Sequence, residues 1–156
     1  CEKPIVKLPK EYRNTSVVVL DGPFMCIDPL LGTNYHIMGH VVHAIHSSNT
    51  GYFPTSNNKF KKYLNNGVIN KPKITNFNKY ITSASEFFYG LEKSEHIGSM
   101  YTHRTVLPNK DSSDSRPTLV TRESERVFSI FSGKIGTCVD AAEVLIDQLK
   151  REGCND

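Results

Sequence analysis

Two glycines close together separate a β-type run from a helical pattern near the end of the chain. Gly133 and Gly136 enclose Lys134 and Ile135, and the helical pattern starts at Thr137. Glycine lets the backbone approach a ligand closely, and the first N–H groups of a helix are unpaired at its positive dipole end. An anionic or carbonyl-rich ligand suits this geometry, with Lys134 as a mobile charge. A turn that carries glycine only for chain geometry is the simpler alternative.

Four of the six histidines fall within one short run, where they could handle protons or bind a metal. In a strand, His36, His40 and His46 would share one face and His43 would take the other. In a helix, His36 would lie near His40, and His43 near His46. Because no acidic residue stands nearby in the sequence, the pattern does not favour a metal site. If a sheet formed by this run covers a cofactor, His43 or His46 is the candidate for a proton-handling group.

Several other functional classes lack support in the sequence. It contains no G-x-G-x-x-G after a strand, no G-x-S-x-G and no Walker A loop. The cysteines (Cys1, Cys26, Cys138 and Cys154) form no C-x-x-C pair, so a zinc site has no ligand spacing to support it. Free thiols in a reducing compartment are expected, and therefore a cytoplasmic protein. We expect neither a signal peptide nor an integral membrane segment.

The charge balance also argues against nucleic acid as a partner. Nineteen Lys and Arg residues against sixteen Asp and Glu residues give a net charge of +3. The only basic run interleaved with aromatic residues is 59–63, which is typical of the solvated face of a short helix. A small-molecule substrate is the expected partner.

Strand patterns precede helical patterns for most of the chain. Strands are predicted at 2–9, 17–20, 24–27, 35–46, 97–107, 118–121 and 126–131. The runs 24–27 and 35–46 predict a long antiparallel hairpin. Helices are predicted at 59–65, at 76–95 and from Thr137 onward, the last with a buried stripe of Val139, Ala142, Leu145, Ile146 and Leu149. Without βαβ alternation, this order predicts an α+β fold, with an antiparallel sheet flanked by helices.

The segment 127–137, Val-Phe-Ser-Ile-Phe-Ser-Gly-Lys-Ile-Gly-Thr, followed by Ala-Ala-Glu at 141–143, resembles the end of the flavin domain in the D-amino-acid oxidase superfamily. It is most similar to FAD-dependent glycerol-3-phosphate dehydrogenases, which have a short strand, a Gly-Gly-Lys-x-Thr-Thr turn and a helix containing Ala-Glu. Gly133, Lys134 and Thr137 match that turn, whereas Ser132 and Gly136 depart from it. The resemblance implies that Gly133, Lys134, Ile135, Gly136 and Thr137 contact FAD.

The resemblance also implies roles for two arginines. Arg104, in Thr-His-Arg-Thr-Val-Leu-Pro at 102–108, resembles the arginine of an Arg-Pro-Leu strand that faces the substrate, although Thr105 replaces the proline. Arg122 resembles a second family arginine, and an ion-paired surface arginine is the competing interpretation. His103 beside Arg104 is a further candidate for the pocket. The implied catalytic group is Arg104, Lys134, and His43 or His46.

The resemblance is good over 97–150 and general over 15–95, where it implies the substrate-binding sheet. The expected organisation is therefore a substrate-binding part at 1–125 and, at 126–156, the closing strand–turn–helix of a flavin domain. The N-terminal FAD-binding part would lie outside this chain. The start at Cys1 and the strand-like residues 2–9 favour a cut through a longer chain over a processed lipoprotein.

Three functional hypotheses follow from these observations. The first is the C-terminal part of an FAD-dependent oxidoreductase that acts on an amine, an amino acid or a polyol phosphate and is inactive alone. It predicts an apolar face for the missing domain, and hence homo-oligomers of the isolated chain. The second is a stand-alone, non-enzymatic α+β binding module in which Arg104 and the histidine strand form an anion pocket. The third is a histidine-metal hydrolase, which predicts bound zinc or iron.

Overall fold

The computed structural model describes residues 1–20, 24–108, 117–131 and 134–150. Its fold is mixed α+β with an antiparallel sheet, as the sequence predicts. The chain divides into two compact units, Cys1–Arg104 and Thr105–Asp156. The boundary predicted after residue 125 falls inside the second unit, between its two strands. Residues 21–23, which connect the predicted strands 17–20 and 24–27, lie outside the described residues.

The first unit is built on a six-stranded sheet of order β2-β3-β4-β1-β6-β5, in which every neighbouring pair is antiparallel. Its strands are β1 (Glu2–Lys7), β2 (Val17–Val19), β3 (Met25–Pro29), β4 (His36–His40), β5 (Ile69–Asn70) and β6 (Glu95–Tyr101). The predicted hairpin is confirmed as β3 and β4, with Ile27 opposite Met38. The predicted first strand is β1, which lies in the middle of the sheet.

One face of this sheet forms the core together with helix α2 (Phe77–Ser85). Side chains alternate between the faces of a strand, so Met25, Ile27 and Met38 point to the same side, where each is at most 1% exposed. The buried cluster is Val6, Leu8, Met25, Ile27, Met38, Tyr80, Ile81, Ala84 and Leu91. Burial of each large apolar side chain contributes about 1.5–3 kcal/mol, so this layer is the main source of the unit's stability.

The opposite face of the sheet is partly exposed, although Ile5, which lies opposite Ile37 on that face, is 1% exposed. Lys3 is exposed there, and its cross-strand partner Met100 is half-buried. Cys26 and Ile37 are also half-buried. A side chain at Gly39 would lie 2.7 Å from the sulfur of Cys26, so glycine keeps this part of the surface flat. We call these residues the open face.

Helix α2 is shorter than the predicted helix 76–95. It ends at Ser85, where the N–H groups of Phe87 and Phe88 both return to the Ala84 carbonyl. Gly90 then has φ of 85°, the left-handed conformation that glycine adopts without steric cost. A 3-10 turn at Leu91–Lys93 leads into β6.

Two predicted strands are also too long. β4 ends at His40 instead of His46, because the chain turns there onto a hydrogen-bonding side chain described below. β6 ends at Tyr101, opposite Glu2; Thr102 still exchanges backbone hydrogen bonds with Cys1, and the segment 103–107 belongs to no strand. Helix α1 (Asn58–Lys61) is a single turn that begins one residue before the predicted 59–65 and ends four residues earlier, and it buries Phe60 while its lysines remain solvated.

The second unit contains the hairpin β7 (Leu119–Ser124) and β8 (Val127–Phe131), a 3-10 turn at Ile135–Thr137, and helix α3 (Cys138–Lys150). The hairpin and the helix stand where the sequence predicts them. The predicted buried stripe of α3 is wrong: Ala141 is the buried residue of the described helix, and Val139, Ile146 and Leu149 are exposed by 47–62%. A two-stranded hairpin is too small to cover more than one side of this helix.

Candidate functional site

The best-defined polar geometry in the first unit surrounds the His40 side chain at the end of β4. Its Nδ1 accepts hydrogen bonds from the N–H groups of Val42, at 3.0 Å, and His43, at 3.2 Å. Its Nε2 lies 3.1 Å from the Ser83 hydroxyl on α2. A nitrogen that accepts two N–H groups carries no proton, so the neutral ring holds its proton on Nε2 and donates it to Ser83.

This tautomer excludes one reaction that the residue types suggest. A serine nucleophile requires a base that accepts its proton, and Nε2 of His40 is a donor in this arrangement. The nitrogen of His40 that carries the lone pair, Nδ1, already accepts the N–H groups of the turn. The pair of His40 and Ser83 is therefore structural, and it does not form a hydrolytic dyad.

A cleft of about 470 Å³, here called the His40 cleft, opens between this turn and α2. Its walls are His40, Val42, His43, Asn78, Lys79, Thr82, Ser83 and Glu86. The His43 ring stacks on that of His40, with centroids 4.1 Å apart, and both rings pack against Tyr80. Burial and the neighbouring His43 lower the pKa of His40, which agrees with its neutral tautomer.

His46 lies away from this cleft and binds the buried carboxylate of Glu2. Its Nε2 is 2.7 Å from Oε2, which also accepts the N–H of Asn76 at the start of α2. The other oxygen of Glu2 accepts hydroxyl groups from Thr75 and Ser99. The Glu2 side chain is fully buried. Neither predicted arrangement of the histidines is found, because β4 ends at His40, His43 stacks on His40, and His46 lies apart on Glu2.

The pKa of Glu2 reflects a balance between burial and hydrogen bonding. Burial alone raises it, but the bonds from Ser99, Thr75, the Asn76 N–H and His46 outweigh that effect and lower it below the ordinary value. The carboxylate is ionised at neutral pH and ties β1 to β6 and to the first turn of α2. One feature of β1 agrees with the burial of Glu2: strand alternation places Glu2 on the same side as Pro4, which is also buried.

The other buried histidines do not form a pocket with Arg104. His36 is 3% exposed, and neither ring nitrogen has a hydrogen-bond partner among the described residues. Burial lowers the pKa of His36 against the opposing effect of Asp28. Arg104 is exposed in the extended segment after β6, and its neighbour His103 hydrogen-bonds Ser56. The histidine strand faces the core rather than an anion site.

The turn before α3 is exposed at most of its described positions. Lys134 and Gly136 are exposed, Ile135 is 90% exposed, and space at Gly136 is open. Gly133 lies outside the described residues. The sequence predicts unpaired N–H groups at this helix start, but the N–H of Thr137 donates to the Lys134 carbonyl and is not available to a ligand.

The Thr137 side chain also serves the turn itself. Its hydroxyl donates to the Lys134 carbonyl at 2.8 Å, so the Thr118 hydroxyl must supply the proton in the bond between the two threonines. The next N–H, that of Cys138, donates to the Ile135 carbonyl.

Arg122 stabilises the hairpin of the second unit. Its Nε donates to the Ser124 carbonyl at 3.1 Å and an Nη to the Glu125 carbonyl at 2.9 Å. The guanidinium also lies 5.7 Å from the centroid of the Phe128 ring. These contacts favour the structural interpretation of Arg122 over a substrate-binding one.

Comparison of the chain with protein-family models, characterised proteins and solved structures gave no match. Over the described residues, no group of three or more His, Cys, Asp and Glu side chains is placed to hold a metal ion. In the same part of the chain, every helix is too short or too polar to cross a membrane.

Proposed function

We propose that this chain is the C-terminal part of an FAD-dependent oxidoreductase and supplies its substrate-covering sheet and closing flavin helix. The observation that carries the proposal is the six-stranded antiparallel sheet, which packs on α2 through one face and keeps a second, flat and partly exposed face. A sheet of this kind suits a cover for a planar cofactor, with substrate held between them. The resemblance at 127–143 is what supports FAD as the proposed cofactor.

The second unit supports the proposal through two exposed features. The turn at 134–137 presents a lysine and an open glycine at the start of the thirteen-residue helix α3. The exposed residues Val139, Ile146 and Leu149 give the helix an apolar surface. Such a surface is typical of a contact that another part of a protein covers.

When bound, FAD would accept hydride from a C–H bond of a small amine, amino acid or polyol phosphate. Lys134 would stabilise negative charge at the N1 and C2=O side of the ring, as would the dipole of α3. The N–H groups of Thr137 and Cys138 already donate to carbonyls of the turn, so they cannot also bind the flavin. Lys134 is therefore the group to test. Arg104 would bind a substrate carboxylate or phosphate.

The test starts from the complete reading frame that contains this chain. We expect a strand–G-x-G-x-x-G–helix segment upstream of Cys1, and a purified product with the absorbance of bound flavin. Anaerobic mixing with amino acids, secondary amines and polyol phosphates should then identify the reducing substrate. A complete protein that lacks the upstream segment and binds no flavin would overturn the proposal and favour the stand-alone binding module.

Lys134→Ala tests the role of the turn in that full-length protein. We expect flavin reduction to slow by about tenfold to a hundredfold, because one preorganised positive group is lost where charge develops. Lys150→Ala, at the other end of α3, is the matched control and should leave the rate unchanged. An unaltered rate in Lys134→Ala would remove this residue from the mechanism.

A further inference from the structure

One ring nitrogen caps the turn after β4, in addition to the backbone bonds from Ala44 to the His40 carbonyl and from Ile45 to the Val42 carbonyl. Nδ1 of His40 accepts the N–H groups two and three residues ahead, from Val42 and His43. Asparagine and aspartate side chains commonly make this pattern of contacts at turns and helix starts. Histidine differs from asparagine in one respect that matters: a proton on Nδ1 would turn the acceptor into a donor and eliminate both bonds.

Other groups depend on the position of this turn. The Ala44 carbonyl accepts the N–H of Glu2 at 2.7 Å, and the His43 carbonyl accepts the side-chain amide of Asn76 at 2.9 Å. The His43 ring is held in the His40 cleft by stacking on His40. The turn therefore fixes one wall of the cleft and connects it to β1 and α2.

We propose that His40 is a pH-sensitive positioning residue, which holds the turn 41–44 and places His43 in the cleft only while its Nδ1 is unprotonated. Protonation would release this turn and reshape the His40 cleft. His46 lies outside this turn contact, because its Nε2 is held 2.7 Å from the buried Glu2 carboxylate. The inference is independent of the flavin proposal, since it concerns only contacts within the first unit.

The groups that face His40 determine the direction of the effect. The charged and titratable groups around His40 are His43 on its own segment and, in the walls of the same cleft, Lys79 and Glu86. Tyr80 of α2 packs edge-on at 5.8 Å, and Met25 of β3 is the strand partner. Burial of the ring and the proximity of His43 together lower the pKa of His40.

The sign of the pH dependence follows from this lowered pKa. The folded turn binds fewer protons than an open one, so the turn is fully formed above the ordinary histidine value of about 6.5. Its stability falls as the pH drops through the lower, folded value. Between the ordinary value and the folded one, protection of the turn against opening should decrease about tenfold for each pH unit, and below the folded value it should level off.

The experiment measures hydrogen exchange of the Val42 and His43 amides in the full chain from pH 7.5 to 4.5, corrected for intrinsic exchange. In the same samples, nitrogen NMR follows protonation of the His40 ring. The wild-type protein should lose protection with the midpoint at which His40 gains its proton. Different midpoints, or bonds that persist with a protonated ring, would overturn the proposal, and this measurement requires no variant.

Two variants sharpen the result. His40→Asn supplies an acceptor that does not titrate, so protection of the same amides should become independent of pH; equal loss in wild type and variant would contradict the proposal. His43→Gln keeps the turn bonds and removes a neighbouring charge. It should retain the transition and move its midpoint to higher pH, and a variant without the transition would show that His43, rather than His40, is responsible.

Discussion

The buried carboxylate of Glu2 provides a quantitative test of what holds the first unit together. In Glu2→Gln, the side chain keeps its shape but loses its charge, and one acceptor oxygen becomes an amide donor. The carbonyl oxygen of glutamine can still accept hydrogen bonds from the Asn76 N–H and from Nε2 of His46. The hydroxyls of Thr75 and Ser99 can rotate to accept from the new amide, so the variant should fold.

The expected loss can be worked from four short contacts to the carboxylate, from His46, Thr75, Asn76 and Ser99. Hydrogen bonds to a charged group contribute about 1.5–3 kcal/mol each and neutral ones about half as much. Removal of the charge should therefore weaken the four together by about 4 kcal/mol. Burial of a neutral amide costs less than burial of a carboxylate, which leaves a net destabilisation of about 2–3 kcal/mol.

Urea unfolding at neutral pH measures this difference. All seven tyrosines lie at or before Tyr101, and the chain has no tryptophan, so tyrosine fluorescence reports on the first unit alone. Glu95→Gln is the matched control, because Glu95 pairs with Lys7 at 3.6 Å on the surface, where such pairs contribute about 0–1 kcal/mol. Equal free energies of unfolding for the two variants would refute the assigned role of Glu2.

The loss of stability in acid gives a second test, which compares the wild-type protein with Glu2→Gln. Because the folded pKa of Glu2 is lowered, its contribution is present above the ordinary value of about 4.3 and is lost as the pH falls through the folded value. Wild type should therefore lose more stability than Glu2→Gln between neutral pH and strong acid. Parallel pH profiles would contradict the assignment.

Two further predictions concern packing and self-association. Gly98→Ala should cost about 1–3 kcal/mol, because the new Cβ would lie 2.6 Å from the Ile69 carbonyl oxygen, whereas Gly51→Ala meets nothing within 4 Å and should be neutral in the same urea assay. Replacement of Val139 and Ile146 by serine should reduce self-association of the isolated chain in sedimentation experiments, because both exposed residues belong to the apolar surface of α3. An isolated wild-type chain that stays monomeric would contradict the second prediction.

Residue patterns predict most of the strands and the last helix because those elements are specified locally, but they do not predict the two-residue strand β5. Alternation predicts β1, and the turn residues between the extended runs 24–27 and 35–46 predict the hairpin of β3 and β4. The early end of β4 was missed because a histidine side chain replaces the ladder by capping the turn. No local pattern distinguishes that histidine from one that continues a strand.

The network around Glu2 was missed for a different reason. Its partners Thr75 and Ser99 are separated from it by 73 and 97 residues, and only the folded sheet brings them together. For α3 the pattern correctly identified an apolar stripe but not its environment. Periodicity shows that Val139 and Leu149 share a face, and it does not show whether this chain covers that face.

The central position of β1 has a consequence for the order of folding. β2, β3 and β4 are joined by short connections and can pair soon after they are formed, whereas Glu2 must wait for Tyr101, 99 residues later. Such non-local pairing slows folding, because the entropy of loop closure is lost before the contacts form. During synthesis, β1 is made before the other strands of this sheet but is among the last of them to find both neighbours, and until β6 is available its edge is open to pairing with other chains.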